Sequence, residues 1–119
     1  MPATTPIATS IGTRPALHLQ PLELATLHAL LRRHLPTHAL YAYGSRVVGW
    51  PASQAVKPYS DLDLVVCSPA PALALATLRA DLEDSDLPWR VDLCVWDDLP
   101  AWLQTLIAQH GCPLEPSQG

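Results

Sequence analysis

Residues 43–66 read YGSRVVGWPASQAVKPYSDLDLVV, a Gly-Ser turn followed by two aspartates one residue apart at the head of an apolar run. Leu62 to Val66 has the length and composition of a buried strand. Side chains two apart on a strand share a face, so Asp61 and Asp63 project together while Leu62, Leu64 and Val66 point the other way, into a core. Upstream, Ala39 to Tyr43 is an apolar run between Pro36 and Gly44. At only about five residues it suits a buried strand better than a helix. Between the two strands, Ser45 to Trp50 is expected to form a helical turn that ends at Pro51.

Working outward, Leu24, Leu27, Leu31 and Leu35 recur at steps of three and four, with Glu23, Arg32 and Arg33 off that stripe. This predicts a helix from Pro21 stopped by Pro36. Ala72 to Leu82 is an Ala/Leu-rich helix closed by the polar run Glu83 to Asp86, Arg90 to Trp96 a third strand, and Ala101 to His110 a last helix opened by Pro100 and capped by Gly111. Residues 1–16, rich in Thr, Ala and Pro, show neither period and are expected to be a flexible tail. Residues 17–119 are then one domain. The order α-β-α-β-α-β-α, without internal repeat, predicts an α/β (α+β) fold in which helices pack on one face of a small mixed sheet.

Composition narrows the function. A chain of 119 residues with a formal net charge of −4 does not suit a broad surface for nucleic acid or anionic membrane, since neither attracts a net-negative protein. Three cysteines without metal-type spacing point to reduced thiols in a cytoplasmic protein. No apolar run reaches membrane-spanning length, and the N-terminus has no signal-peptide pattern. A domain this short is expected to work with a partner that completes its site.

Two carboxylates on one strand face repel unless a cation lies between them. Mg²⁺, a hard ion that takes one or two carboxylates and fills its shell with water and substrate phosphate, suits such a pair. Asp92 in VDLCVWDD, residues 91–98, faces away from Val91, Leu93 and Val95 and supplies a third carboxylate if its strand lies beside Leu62 to Val66. Asp97 and Asp98 are rivals, but they stand at the strand end before Pro100, where acids support a helix N-terminus. Gly44 permits a tight turn whose backbone N–H groups, with the Ser45 hydroxyl, suit a phosphate. Arg46 and Lys57 offer cations nearby. The histidines share no spacing with Cys67, Cys94 or Cys112 that closes a zinc site, and Cys94 reads as a half-buried core residue on the face of Asp92.

GSRVVG, then SDLDLVV, then VDLCVWDD resembles the minimal nucleotidyltransferases, or MNT domains, of the DNA polymerase β superfamily. IAQHGCPLEP, residues 107–116, is similar to the helix-then-short-strand ending of these domains. The resemblance implies that Gly44 and Ser45 hold nucleotide phosphates, that Asp61 and Asp63 bind two Mg²⁺ ions, and that Asp92 completes one metal site and helps deprotonate an acceptor hydroxyl. It implies AMP transfer from ATP. MNT domains this short are often antitoxins of HEPN-domain toxin RNases, so the resemblance also implies a hetero-oligomer in which a toxin tyrosine is the acceptor. A non-covalent antitoxin of the same fold and transfer to a small molecule are the alternatives. Here Val48 stands where family members commonly carry a second Arg, and residues 50–59 make a longer connection than the family pattern.

Overall fold

Leucine spacing draws the first helix inward as expected. In the computed structural model, which describes residues 17–51 and 59–114, helix α1 spans Pro21–His34. Its entry is fixed by the Gln20 N–H, which donates to the Glu23 carboxylate at 2.9 Å. Leu27 and Leu31 of the helix and Leu35 just after it are wholly buried. Burying one leucine is worth about 1.5–3 kcal/mol, so these three outweigh intrinsic propensity in setting the helix face. The tail expected over residues 1–16 lies outside the described residues, as does Lys57.

Four strands form one sheet: β1 (Leu40–Tyr43), β2 (Leu62–Val66), β3 (Val91–Val95) and β4 (Cys112–Leu114). Their spatial order is β3-β2-β1-β4. β1 pairs antiparallel with both β2 and β4, whereas β2 and β3 run parallel. A parallel pair needs a crossover, and helix α2 (Ala72–Glu83) supplies it, burying Leu75, Leu78 and Leu82. α1 and α2 therefore cover one face, where Leu40, Ala42, Leu62, Leu64, Val66 and Leu93 complete the main core.

One refinement concerns the last helix. Helix α3 (Ala101–His110) packs on the opposite face, with Ile107 fully buried against Tyr43 and Val65. Strand alternation dictates this, because Tyr43, Asp63, Val65 and Asp92 point away from the α1–α2 side. Gly111 closes α3 at φ −66°, with its N–H on the Ile107 carbonyl at 2.8 Å. Space rather than a left-handed backbone calls for glycine there, since a Cβ would stand 2.7 Å from that carbonyl oxygen. Among the described residues no helix is long and apolar enough to cross a membrane.

The expected helical turn over Ser45 to Trp50 is instead two successive tight turns. The Val47 N–H donates to the Gly44 carbonyl at 3.0 Å and the Trp50 N–H to the Val47 carbonyl at 3.1 Å. Val47 also forms an antiparallel bridge with Leu17. That bridge holds its backbone extended and stops helical propagation.

Candidate active site

The site follows from register. β1, β2 and β3 place Tyr43, Asp63 and Asp92 side by side in one row across three strands, Tyr43 opposite Asp63 and Asp63 opposite Asp92. All three alternate to the α3 face. Leu62, Leu64 and Leu93, on the other face, are buried in the core and anchor the two carboxylate-bearing strands. Asp61 is exposed just before β2, where the Leu62 N–H donates to the Arg90 carbonyl at 2.9 Å.

Gly44 leaves β1 directly over this row. Its φ is +85°, in the left-handed region. A Cβ placed on it would stand 2.5 Å from Oδ2 of Asp63. Both observations demand glycine, and the second shows that the Gly-Ser turn is packed against the carboxylate. The Gly-Ser turn and the acid pair, separate motifs in the sequence, are one structure here.

Electrostatics bind the three aspartates together. Burial, then the charge of Asp92, then that of Asp61, push the Asp63 carboxyl from its ordinary 3.8 up to about 6. The Tyr43 hydroxyl donates to Cys94 Sγ at 3.6 Å. Burial and Cys94, with smaller contributions from Asp63 and Asp92, push that phenol above its usual range. Among the described residues no three His, Cys, Asp or Glu side chains form a ready-made metal cage. The donor set still suits Mg²⁺: hard carboxylate oxygens under mutual repulsion, which a divalent cation would relieve, with water and phosphate filling the other positions. A groove of about 630 Å³ opens beside β3 and takes in Asp61, Asp92, Tyr59, Arg79, Glu83 and Arg90.

Arg46, expected from its place in the turn as a cation for phosphate, turns into the fold. It is buried, its Nε donating to the Ser60 carbonyl and its Nη1 to the His18 carbonyl, each at 2.8 Å. Its guanidinium stacks on Trp89 at 4.6 Å. Burial opposes its charge and draws its pKa below the usual value, against the support of Glu23 and Asp61. Asp97 and Asp98 form a 3₁₀ turn (Trp96–Asp98) beyond β3, away from the row. Tyr43 is the group that sequence reasoning misses. Its only sequence signal is that it immediately precedes Gly44.

This geometry gives meaning to the likeness with known proteins. The chain is 42% identical over 82 residues to the probable protein adenylyltransferase MntA of Haemophilus influenzae, covering 67% of this chain and 68% of that protein. It belongs to the MntA family of nucleotidyltransferases. As an MNT-type protein it is an enzyme, a nucleotidyltransferase. No protein-family model matches it. Among solved structures, the toxin–antitoxin complex MntA–HepT contains a chain that superposes with a TM-score of 0.53 at 22% identity, covering 79% of this chain and 70% of that one. A mutant form of that complex superposes with 0.53 at 24% identity, over 76% and 69% of the two chains. At these identities the superpositions establish the shared fold.

Proposed function

We propose that this protein is a Mg²⁺-dependent adenylyltransferase that acts as an antitoxin, transferring AMP from ATP to a tyrosine hydroxyl of a HEPN-type toxin RNase in the cytoplasm. The observation that carries the reading is the packing of the Gly44 turn on Asp63, directly opposite Asp92. That arrangement would set a phosphate-binding turn beside the carboxylates. The relative's adenylyltransferase name and the toxin–antitoxin complex of the fold neighbours support the same assignment.

Asp61 and Asp63 would hold two Mg²⁺ ions, with Asp92 completing one site. Bound there, the ions would stabilise charge on the attacking and leaving oxygens. The Gly44–Ser45 turn would hold the triphosphate and orient its α-phosphorus. Asp92 would draw the proton from the acceptor hydroxyl as that oxygen bonds to the α-phosphorus and pyrophosphate departs. The partner would supply the missing wall of the open groove beside β3 and with it the acceptor.

The test pairs the protein with a HEPN-type partner, ATP and Mg²⁺, and follows the partner's mass. An added AMP, with the partner still inactive after this protein is removed, is the expected result. Asp92→Asn should keep the complex, because one amide changes little of an interface of about 800 Å² per partner, and should lose the mass shift. A non-covalent antitoxin would give inhibition that reverses on separation and survives Asp92→Asn.

A further inference from the structure

One buried side chain gathers the segments that carry the site. Arg46 is 5% exposed, the one charged or polar residue buried among those described. Two of its partners, Ser60 and Trp89, stand within three residues of a site carboxylate. Ser60, whose carbonyl accepts from Nε, immediately precedes Asp61. Trp89, under the guanidinium, leads through Arg90 and Val91 into Asp92. Arg46 itself follows Gly44 and Ser45. The His18 carbonyl accepts from Nη1 while the His18 N–H donates to the Arg46 carbonyl at 2.8 Å, so the far side of the turn is held by reciprocal bonds. The bond from the Leu62 N–H to the Arg90 carbonyl joins the starts of β2 and β3 beside the same group.

We propose that Arg46 is the positioning residue of the site, holding the Gly44–Ser45 turn, the start of β2 with Asp61 and the start of β3 with Asp92 in one fixed arrangement from inside the fold, without touching the nucleotide. The inference rests on the metal-dependent reading above. A guanidinium is suited to this task and an ammonium is not. Its planar fork offers donors in fixed directions to two carbonyls while its face stacks on an indole, three contacts that a lysine's single flexible ammonium cannot make together. Burying a charge costs stability that an apolar side chain of similar volume would not. Such a residue therefore earns its place through geometry. Partners standing behind metal-binding side chains typically alter metal affinity by about 10–100-fold when lost.

Mn²⁺ titration in the absence of nucleotide, followed by electron paramagnetic resonance, tests this on wild type, Arg46→Lys and Trp89→Leu. Positioning predicts that Arg46→Lys binds Mn²⁺ about 10-fold or more weakly, with Trp89→Leu intermediate. Hydrogen exchange in Arg46→Lys should quicken at the amides of Asp61 to Asp63 and Val91 to Asp92, while α3 exchanges as in wild type. A direct phosphate contact predicts the opposite pattern: unchanged Mn²⁺ affinity and exchange, with a raised KM for ATP. A merely stabilising role predicts a lower Tm with unchanged Mn²⁺ affinity. Either result overturns the proposal. Wild type that neither binds Mn²⁺ nor transfers AMP would sink the metal reading instead, and unchanged exchange in Arg46→Lys would still refute the clamp by itself.

Discussion

Replacing Asp63 by Asn should make the metal-free protein more stable, and by an amount that depends on pH. The Asp63 carboxyl is pushed from 3.8 to about 6 by burial, Asp92 and Asp61. Its folded form thus holds a proton more tightly than its unfolded form. For such a group the stability it permits is fully present below the unfolded value near 4 and is lost as pH rises through about 6. At 1.36 kcal/mol per pH unit the full loss is about 3 kcal/mol, an upper figure because solvent reaches part of the side chain. Asn is close in shape to the protonated acid and carries no charge to lose. Urea unfolding in EDTA at pH values from 4 to 8 should therefore give wild type and Asp63→Asn nearly equal stabilities at pH 4. The variant should lead by roughly 1–3 kcal/mol at pH 7.5. A variant no more stable than wild type at pH 7.5, or a difference that ignores pH, would refute the account of Asp63 as a strained carboxylate.

Other expectations test neighbouring parts of the argument. Adding MgCl₂ at pH 7.5 should raise the Tm of wild type by mass action and leave that of Asp63→Asn nearly unmoved, as scanning calorimetry would show. Gly44→Ala places a methyl against Oδ2 of Asp63 at a left-handed backbone position, so about 2 kcal/mol or more of stability should go; AMP transfer should go with it, and retained activity would exclude the close packing. Ile107→Ala, which empties the centre of the small α3-side cluster, should cost about 2–4 kcal/mol by urea unfolding.

How much of this was readable in advance depends on the range of the interaction that decides each feature. Alternation in Leu62 to Val66 is local, so the strand and the inward face of Leu62, Leu64 and Val66 follow from spacing alone. The leucine stripe of α1 is local too. That Asp92 stands opposite Asp63 requires the β2–α2–β3 crossover and its register, which spacing constrains and does not determine; the resemblance to MNT domains supplied it. The 3₁₀ turn at Asp97 and Asp98 agrees with their reading as strand-end acids. Arg46 was illegible for a clear reason. Its partners include two backbone carbonyls and an indole from three distant segments, and carbonyls carry no residue-type signal. The two turns over Gly44 to Trp50 escaped because the bridge from Val47 to Leu17 overrides what the local sequence favours.

Charge placement around the row argues for an external cation on grounds independent of any relative. A carboxylate kept for structure is ordinarily held below its usual value by a cation or by donors. Asp63 is the reverse, since both charges acting on it are negative and burial adds to their effect. The one buried cation among the described residues is turned inward to the carbonyls of His18 and Ser60. Desolvation weakens its charge, while Glu23 and Asp61 support it. A sequence selected for stability alone would replace Asp63 with an uncharged residue, and the sheet would tolerate it. Strain of this kind persists where function requires it. Asp63 thus stands under negative charge and burial alone, and a divalent cation of the kind proposed above would relieve both.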